Sequence, residues 1–122
     1  MKARIISLLV IIMNLCPTVA RSTEEATNTL LVYGDSLSAA YGIQEAQGWV
    51  TLLESRLNEE NWTYKLINGS VSGETTTGGL ERLPAMLSTY QPDLVILELG
   101  GNDGLRGLPL ETLKANLKKM IS

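Results

Sequence analysis

The sequence predicts an α/β fold built on a parallel sheet, and three observations carry that prediction. Three short runs of apolar character, at residues 30–33, 64–67 and 94–99, have the length of strands. Segments with apolar residues at helical spacing follow each of them. The order strand, helix, strand, helix, strand, helix calls for parallel pairing with right-handed crossovers.

The first run opens the stretch LLVYGDSLS at residues 30–38, around which the chain is organised. Leu30 to Tyr33 read as a strand buried on both faces, and Gly34 supplies the turn that ends it. In open parallel sheets ligands bind beyond the carboxyl ends of strands, so Ser36 stands where chemistry is expected. Taken alone, Gly34-Asp35-Ser36 is better explained as a strand-to-helix turn with a capping serine.

Residues 39–47 read as a glycine-containing loop, and Trp49, Leu52, Leu53 and Leu57 predict a helix over 47–60. The second strand ends at Asn68-Gly69. Residues 70–79, SVSGETTTGG, read as a loop running over a site, without the Gly-Lys-Ser/Thr of a phosphate-binding loop. Leu80, Leu83, Leu87 and Tyr90 predict a second helix, in which Pro84 either makes a kink or marks the true first turn. The third strand reads as apolar on both faces, as a central strand should be, and opens into Gly100-Gly101-Asn102-Asp103-Gly104. Pro109 is placed to be the first residue of a last helix with an apolar stripe of Leu110, Leu113, Leu117 and Ile121. Lys118 and Lys119 complement the dipole at its carboxyl end.

With 122 residues the chain makes at most one ordinary domain. Lys2 and Arg4, the apolar run at residues 5–13 and Thr18-Val19-Ala20 read as a secretory signal peptide over residues 1–20, cleaved after Ala20. The expectation is a periplasmic or secreted protein. A membrane span needs roughly 20 apolar residues, and Asn14 and Pro17 interrupt this run, so no stable membrane anchor is expected after cleavage. Cys16 is the single cysteine, and Met13-Asn14-Leu15 before it lack the small residue of a lipoprotein signal. The mature chain therefore has no disulfide, thiolate nucleophile or cysteine metal site. Net charge is −3, and without Lys2 and Arg4 the remaining 8 basic residues face 13 acidic ones, giving −5. That balance argues against nucleic acid and anionic membrane as partners. Histidine is absent.

In a parallel sheet the three loops after the strands emerge at one edge. Ser36 lies in the first, Gly73 in the second and Asn102 in the third. Acyl transfer needs a hydroxyl nucleophile and donors aimed at the developing oxyanion. A glycine allows close approach of a backbone N–H, an asparagine amide is a neutral donor, and the Ser36 N–H is a third. Singly, Gly73 and Asn102 are ordinary loop residues; their placement after successive strands is what raises them.

The blocks GDSLSAAYG at residues 34–42, NGSVSGETTTGGLERLPAML at 68–87 and LELGGNDGLRGLP at 97–109 resemble the SGNH, or GDSL, hydrolases. The likeness is to the periplasmic acyl-CoA thioesterase, arylesterase and lysophospholipase type, and it runs through essentially the whole mature chain. It implies a three-layer α/β/α, flavodoxin-like fold with the first strand between the second and third. By the same resemblance Ser36 is the nucleophile, and Gly73 and Asn102 complete the oxyanion hole. Substrates are then small esters or thioesters, lysophospholipids among them, with no metal or nucleotide cofactor. Family members also carry a carboxyl-terminal Asp-x-x-His block that supplies the general base. No such block occurs here, so residues 21–122 are expected to be the amino-terminal part of such a domain, truncated after the third strand and its helix and inactive alone. An uncovered third strand is also an aggregation hazard. Two other readings stay open: a non-catalytic acyl- or carbohydrate-binding module on the same fold, and a flavodoxin-like nucleotide or flavin binder, disfavoured by the missing phosphate loop.

Overall fold

A computed structural model describes residues 27–122. The expected signal peptide and its cleavage site lie outside the described residues. Strand β1 (Asn28–Gly34) is followed by a 3-10 turn (Glu45–Gln47), α1 (Trp49–Glu59), β2 (Tyr64–Asn68), α2 (Thr76–Tyr90), β3 (Leu94–Glu98), α3 (Gly101–Leu105) and α4 (Leu110–Ile121). The sheet has the order β2-β1-β3, and both pairings are parallel. Leu31 lies opposite Ile67 on one side and Val95 on the other. The chain steps in opposite directions from β1 to β2 and from β2 to β3, so right-handed crossovers put α1 and α2 on opposite faces. The expected parallel sheet, with β1 at its centre, is the one observed.

The core forms around β1 because its apolar run has neighbours on both edges and both faces. Leu31, Val32 and Tyr33 are wholly buried. Leu31 and Tyr33 pack with Leu83, bordered by Ile67, Met86, Leu97, Leu99 and Met120. Each buried aliphatic side chain of this kind contributes about 2 kcal/mol.

Several details depart from the sequence reading. Helix α1 starts at Trp49 rather than at 47, and it buries Val50 while Trp49 and Leu52 are exposed. With Leu53 and Leu57 half-buried, its inner face is i, i+3, i+7 from Val50, which keeps Leu53 and Leu57 of the expected stripe and replaces Trp49 and Leu52 by Val50. Helix α2 begins at Thr76, inside the stretch read as loop. The Thr75 side chain caps it by accepting from Gly78 N, and the buried Thr76 is held by Asp103. Two long-range hydrogen bonds thus override the poor helix propensity of Thr-Thr-Gly-Gly. Pro84 sits inside α2 on an exposed position and neither starts nor ends it. The glycine-rich segment after β3 forms the short α3 rather than open loop. Pro109 is the N-cap of α4 rather than its first residue, and the inward face of α4 is Leu113, Asn116, Leu117 and Met120. Leu110 and Ile121, expected in the stripe, are exposed. Strand β3 is half-exposed rather than buried on both faces, since among the described residues no strand covers its outer edge. Leu94 and Val95 are exposed there.

Tyr33 donates to Gly79 O at 2.7 Å, and the Arg82 guanidinium lies 4.4 Å from its ring centre. Burial raises the Tyr33 hydroxyl above the usual value of 10.0, with Arg82 opposing and Glu74 adding to the rise. A phenol that resists ionisation in the folded state stabilises the fold fully below the unfolded value and loses that contribution as pH rises through the folded one. Urea midpoints are therefore expected to fall above pH 10, and Tyr33→Phe is expected to flatten that alkaline fall while lowering stability at neutral pH.

Candidate active site

The three loops at the carboxyl edge of the sheet are laced together. Asn68, at the end of β2, donates to Ser38 O at 2.8 Å. Gly34 N donates to Ser70 Oγ at 3.1 Å, and Val71 N donates to Gly34 O at 3.0 Å. Asn102 donates from Nδ2 to Glu74 O at 2.9 Å and to Asp35 Oδ2 at 3.2 Å. Arg106 donates to Gly73 O at 2.9 Å. The side chain of Asn102 thus joins the neighbour of Gly73 to the neighbour of Ser36.

Ser36 lies half-buried in the turn after β1. Asp35 shapes that turn by accepting Leu37 N at 3.0 Å through Oδ1 and Ala39 N at 2.9 Å through its carbonyl. Among the described residues neither the Ser36 hydroxyl nor the Ser36 N–H has a hydrogen-bond partner. Gly73, at φ +81°, likewise keeps its N–H without a partner among the described residues. A Cβ there would meet the Arg106 guanidinium at 3.6 Å, an ordinary contact, so the glycine is required by its backbone angle and not by crowding.

Asn102 differs from the other two donors. Both hydrogens of its amide are engaged, so donation to an oxyanion would replace or share the longer bond, the one to Asp35. Asp35 and Asp103, the two carboxylates that could be considered as bases for Ser36, are both committed elsewhere. Asp35 is 2% exposed and bonds Leu37 N and Asn102, while Asp103 is 1% exposed and bonds Thr76 N at 2.8 Å and Thr76 Oγ1 at 2.6 Å.

Sequence reasoning missed the polar groups that hold these loops. Asn116 Nδ2 reaches Thr76 Oγ1 and Thr77 Oγ1, each at 3.1 Å, so α2, α3 and α4 meet at Asp103, Thr76 and Asn116. Asn116 carried a signal: it is a polar residue beside the apolar stripe of an amphipathic helix. Glu98, one acid in the otherwise apolar run at residues 94–99, carried another. A cavity of about 260 Å³ opens beside the Ser36 turn, lined by Ala39, Ala40, Ile43, Glu45, Val50 and Asn68 among others.

Residues 32–122 match the GDSL-like Lipase/Acylhydrolase family. Esterase TesA of Pseudomonas aeruginosa is 54% identical over 97 residues, 80% of this chain and 48% of TesA. A crystal structure of TesA superposes with a TM-score of 0.75 at 55% identity, covering 76% of this chain and 52% of that one. The arylesterase of Vibrio mimicus is 47% identical over 117 residues, 96% of this chain and 57% of the relative. Thioesterase 1/protease 1/lysophospholipase L1 of Escherichia coli K12 is 42% identical over 96 residues, 79% of this chain and 45% of the relative. The chain spans about half the length of the curated relatives it matches. By the family match and by the fold, this chain belongs to the GDSL-like lipase/acylhydrolase family.

Proposed function

We propose that this chain carries the nucleophile and oxyanion half of an exported serine hydrolase acting on small esters or thioesters, lysophospholipids included. The supporting observation is the pair of N–H groups, on Ser36 and Gly73, that have no partner among the described residues, in loops tied together by Asn102. Attack of Ser36 Oγ on the acyl carbon, its proton passing to a general base, puts charge on the carbonyl oxygen, which the two N–H groups and the Asn102 amide stabilise. Collapse expels the alcohol or thiol with a proton from the general base and leaves the acyl group on Ser36. Water, giving a proton to the same base, then attacks the acyl carbon, and the base returns that proton to Ser36 Oγ as the acid is released.

The base does not come from these 122 residues, which contain no histidine and whose two nearby aspartates are committed. By family resemblance it is the histidine of an Asp-x-x-His block. The 122-residue chain alone is expected to hydrolyse p-nitrophenyl butyrate no faster than buffer. The same chain joined to the part of TesA beyond the matched region is expected to show saturable hydrolysis, releasing one acid per nitrophenol. A correctly folded joined protein without turnover, but with saturable acyl-ligand binding by calorimetry, would favour the non-catalytic binding module instead. Strong turnover by the chain alone would refute the need for a histidine. Export rests on residues 1–20 and is checked by recovery of a protein that starts at Arg21.

A further inference from the structure

We propose that Glu98 is the positioning residue of the Ser36 turn, its carboxylate fixing the residues on either side of Ser36 so that the N–H between them is left free. The inference rests on the reading of Ser36 as nucleophile and adds a residue that touches neither substrate nor Ser36. Glu98 closes β3 and stands opposite Gly34 in the pairing with β1. Its Oε2 accepts from Ser38 Oγ at 2.8 Å and from Asp35 N at 3.3 Å. One carboxylate oxygen therefore holds the residue before Ser36 and the residue two after it.

The effect on the turn follows from counting its donors. Asp35 N goes to Glu98, Leu37 N to the Asp35 carboxylate and Ala39 N to the Asp35 carbonyl. The Ser36 N–H, like that of Ser38, has no such partner among the described residues, which is the condition an oxyanion donor must meet. Ser38 is 1% exposed, and its carbonyl accepts from Asn68 of β2, so the ends of all three strands converge on it. Gly34 makes room for this arrangement: a Cβ there would stand 2.7 Å from both Glu98 Oε2 and Ser38 Oγ.

The acid stands out against the strand that carries it. The strand is otherwise apolar, from Leu94 through Leu97, and Leu99 follows. A partly buried carboxylate costs free energy unless it is hydrogen-bonded, and Glu98 forms no ion pair among the described residues. Its two hydrogen bonds go to the turn that carries Ser36.

The test is a set of two-dimensional ¹H–¹⁵N spectra of the full chain and its Glu98→Ala, Glu98→Gln and Ser38→Ala variants. Glu98→Ala and Ser38→Ala are expected to move the Asp35, Ser36 and Leu37 amide resonances and to speed amide exchange at Asp35 by roughly tenfold or more, the loss of a charge-assisted hydrogen bond. Glu98→Gln keeps an acceptor oxygen and is expected to restore the wild-type positions. An unmoved Ser36 resonance in a dispersed Glu98→Ala spectrum would overturn the proposal, as would a Glu98→Gln spectrum displaced as far as Glu98→Ala. Should Glu98→Ala lose dispersion altogether, Ser38→Ala decides by the same criterion. Since no turnover is read, a failure of Ser36 as nucleophile, seen as hydrolysis surviving Ser36→Ala, remains distinguishable from a failure of this inference.

Discussion

Ser36→Ala is expected to remove ester hydrolysis from the joined protein, lowering kcat by a factor on the order of 10⁴ or more. The magnitude follows from what is lost: without the hydroxyl there is no acyl-enzyme, and what remains is stabilisation of direct water attack by the oxyanion donors. The structure separates this loss from a folding effect. Ser36 is half-buried and its hydroxyl makes no hydrogen bond among the described residues, so its removal leaves no orphaned partner. Thermal melting of Ser36→Ala is accordingly expected to match wild type. Steady-state assays with p-nitrophenyl butyrate, run beside that melting curve, check both halves of the expectation.

Asp103→Ala is expected to have the largest effect on stability, about 3 kcal/mol or more, because it strips a buried network of its carboxylate. Asp103 accepts Thr76 N and Thr76 Oγ1, and Asn116 joins the same hydroxyl from α4. Without the carboxylate, the first N–H of α2 and a fully buried hydroxyl lose their acceptors, and three helices lose their common contact. Urea unfolding followed by circular dichroism reads the change. Glu111→Ala, which removes an exposed ion pair with Lys114, is the control and is expected to leave the midpoint unchanged.

The parts of the fold that the sequence made legible are those governed by local apolar pattern and by turn chemistry. The runs at residues 30–33 and 94–97 locate the first and third strands because the apolar demand of a parallel strand is continuous. That the loops after the three strands emerge at one edge was legible for a topological reason, since parallel strands deliver their following loops there, and Asn102 bonds Asp35 and Glu74, the neighbours of Ser36 and Gly73. Family resemblance added the strand order, and it is the source of the roles proposed for these residues. What escaped was set by contacts distant in sequence. The start of α2 depends on Thr76 meeting Asp103, 27 residues away, against its own helix propensity. The inward face of α4 contains Asn116 because it donates to the buried Thr76 hydroxyl, which no apolar periodicity can signal. Asp103 came up only as a possible base, and its place beneath α2 shows it to be an anchor. Glu98 was visible as an acid in an apolar strand, but its partners in the Ser36 turn lie 60 and 63 residues away.

The central claim is that Ser36 is the residue to which the acyl group transfers, and it is tested most directly by covalent capture. The joined protein is treated with a fluorophosphonate ester, digested and measured by mass spectrometry. The expected result is one phosphonyl group per chain, on the peptide containing Ser36, with hydrolysis lost in proportion and no adduct in Ser36→Ala. An adduct on another residue, or full hydrolysis by a protein already labelled at Ser36, would contradict the account.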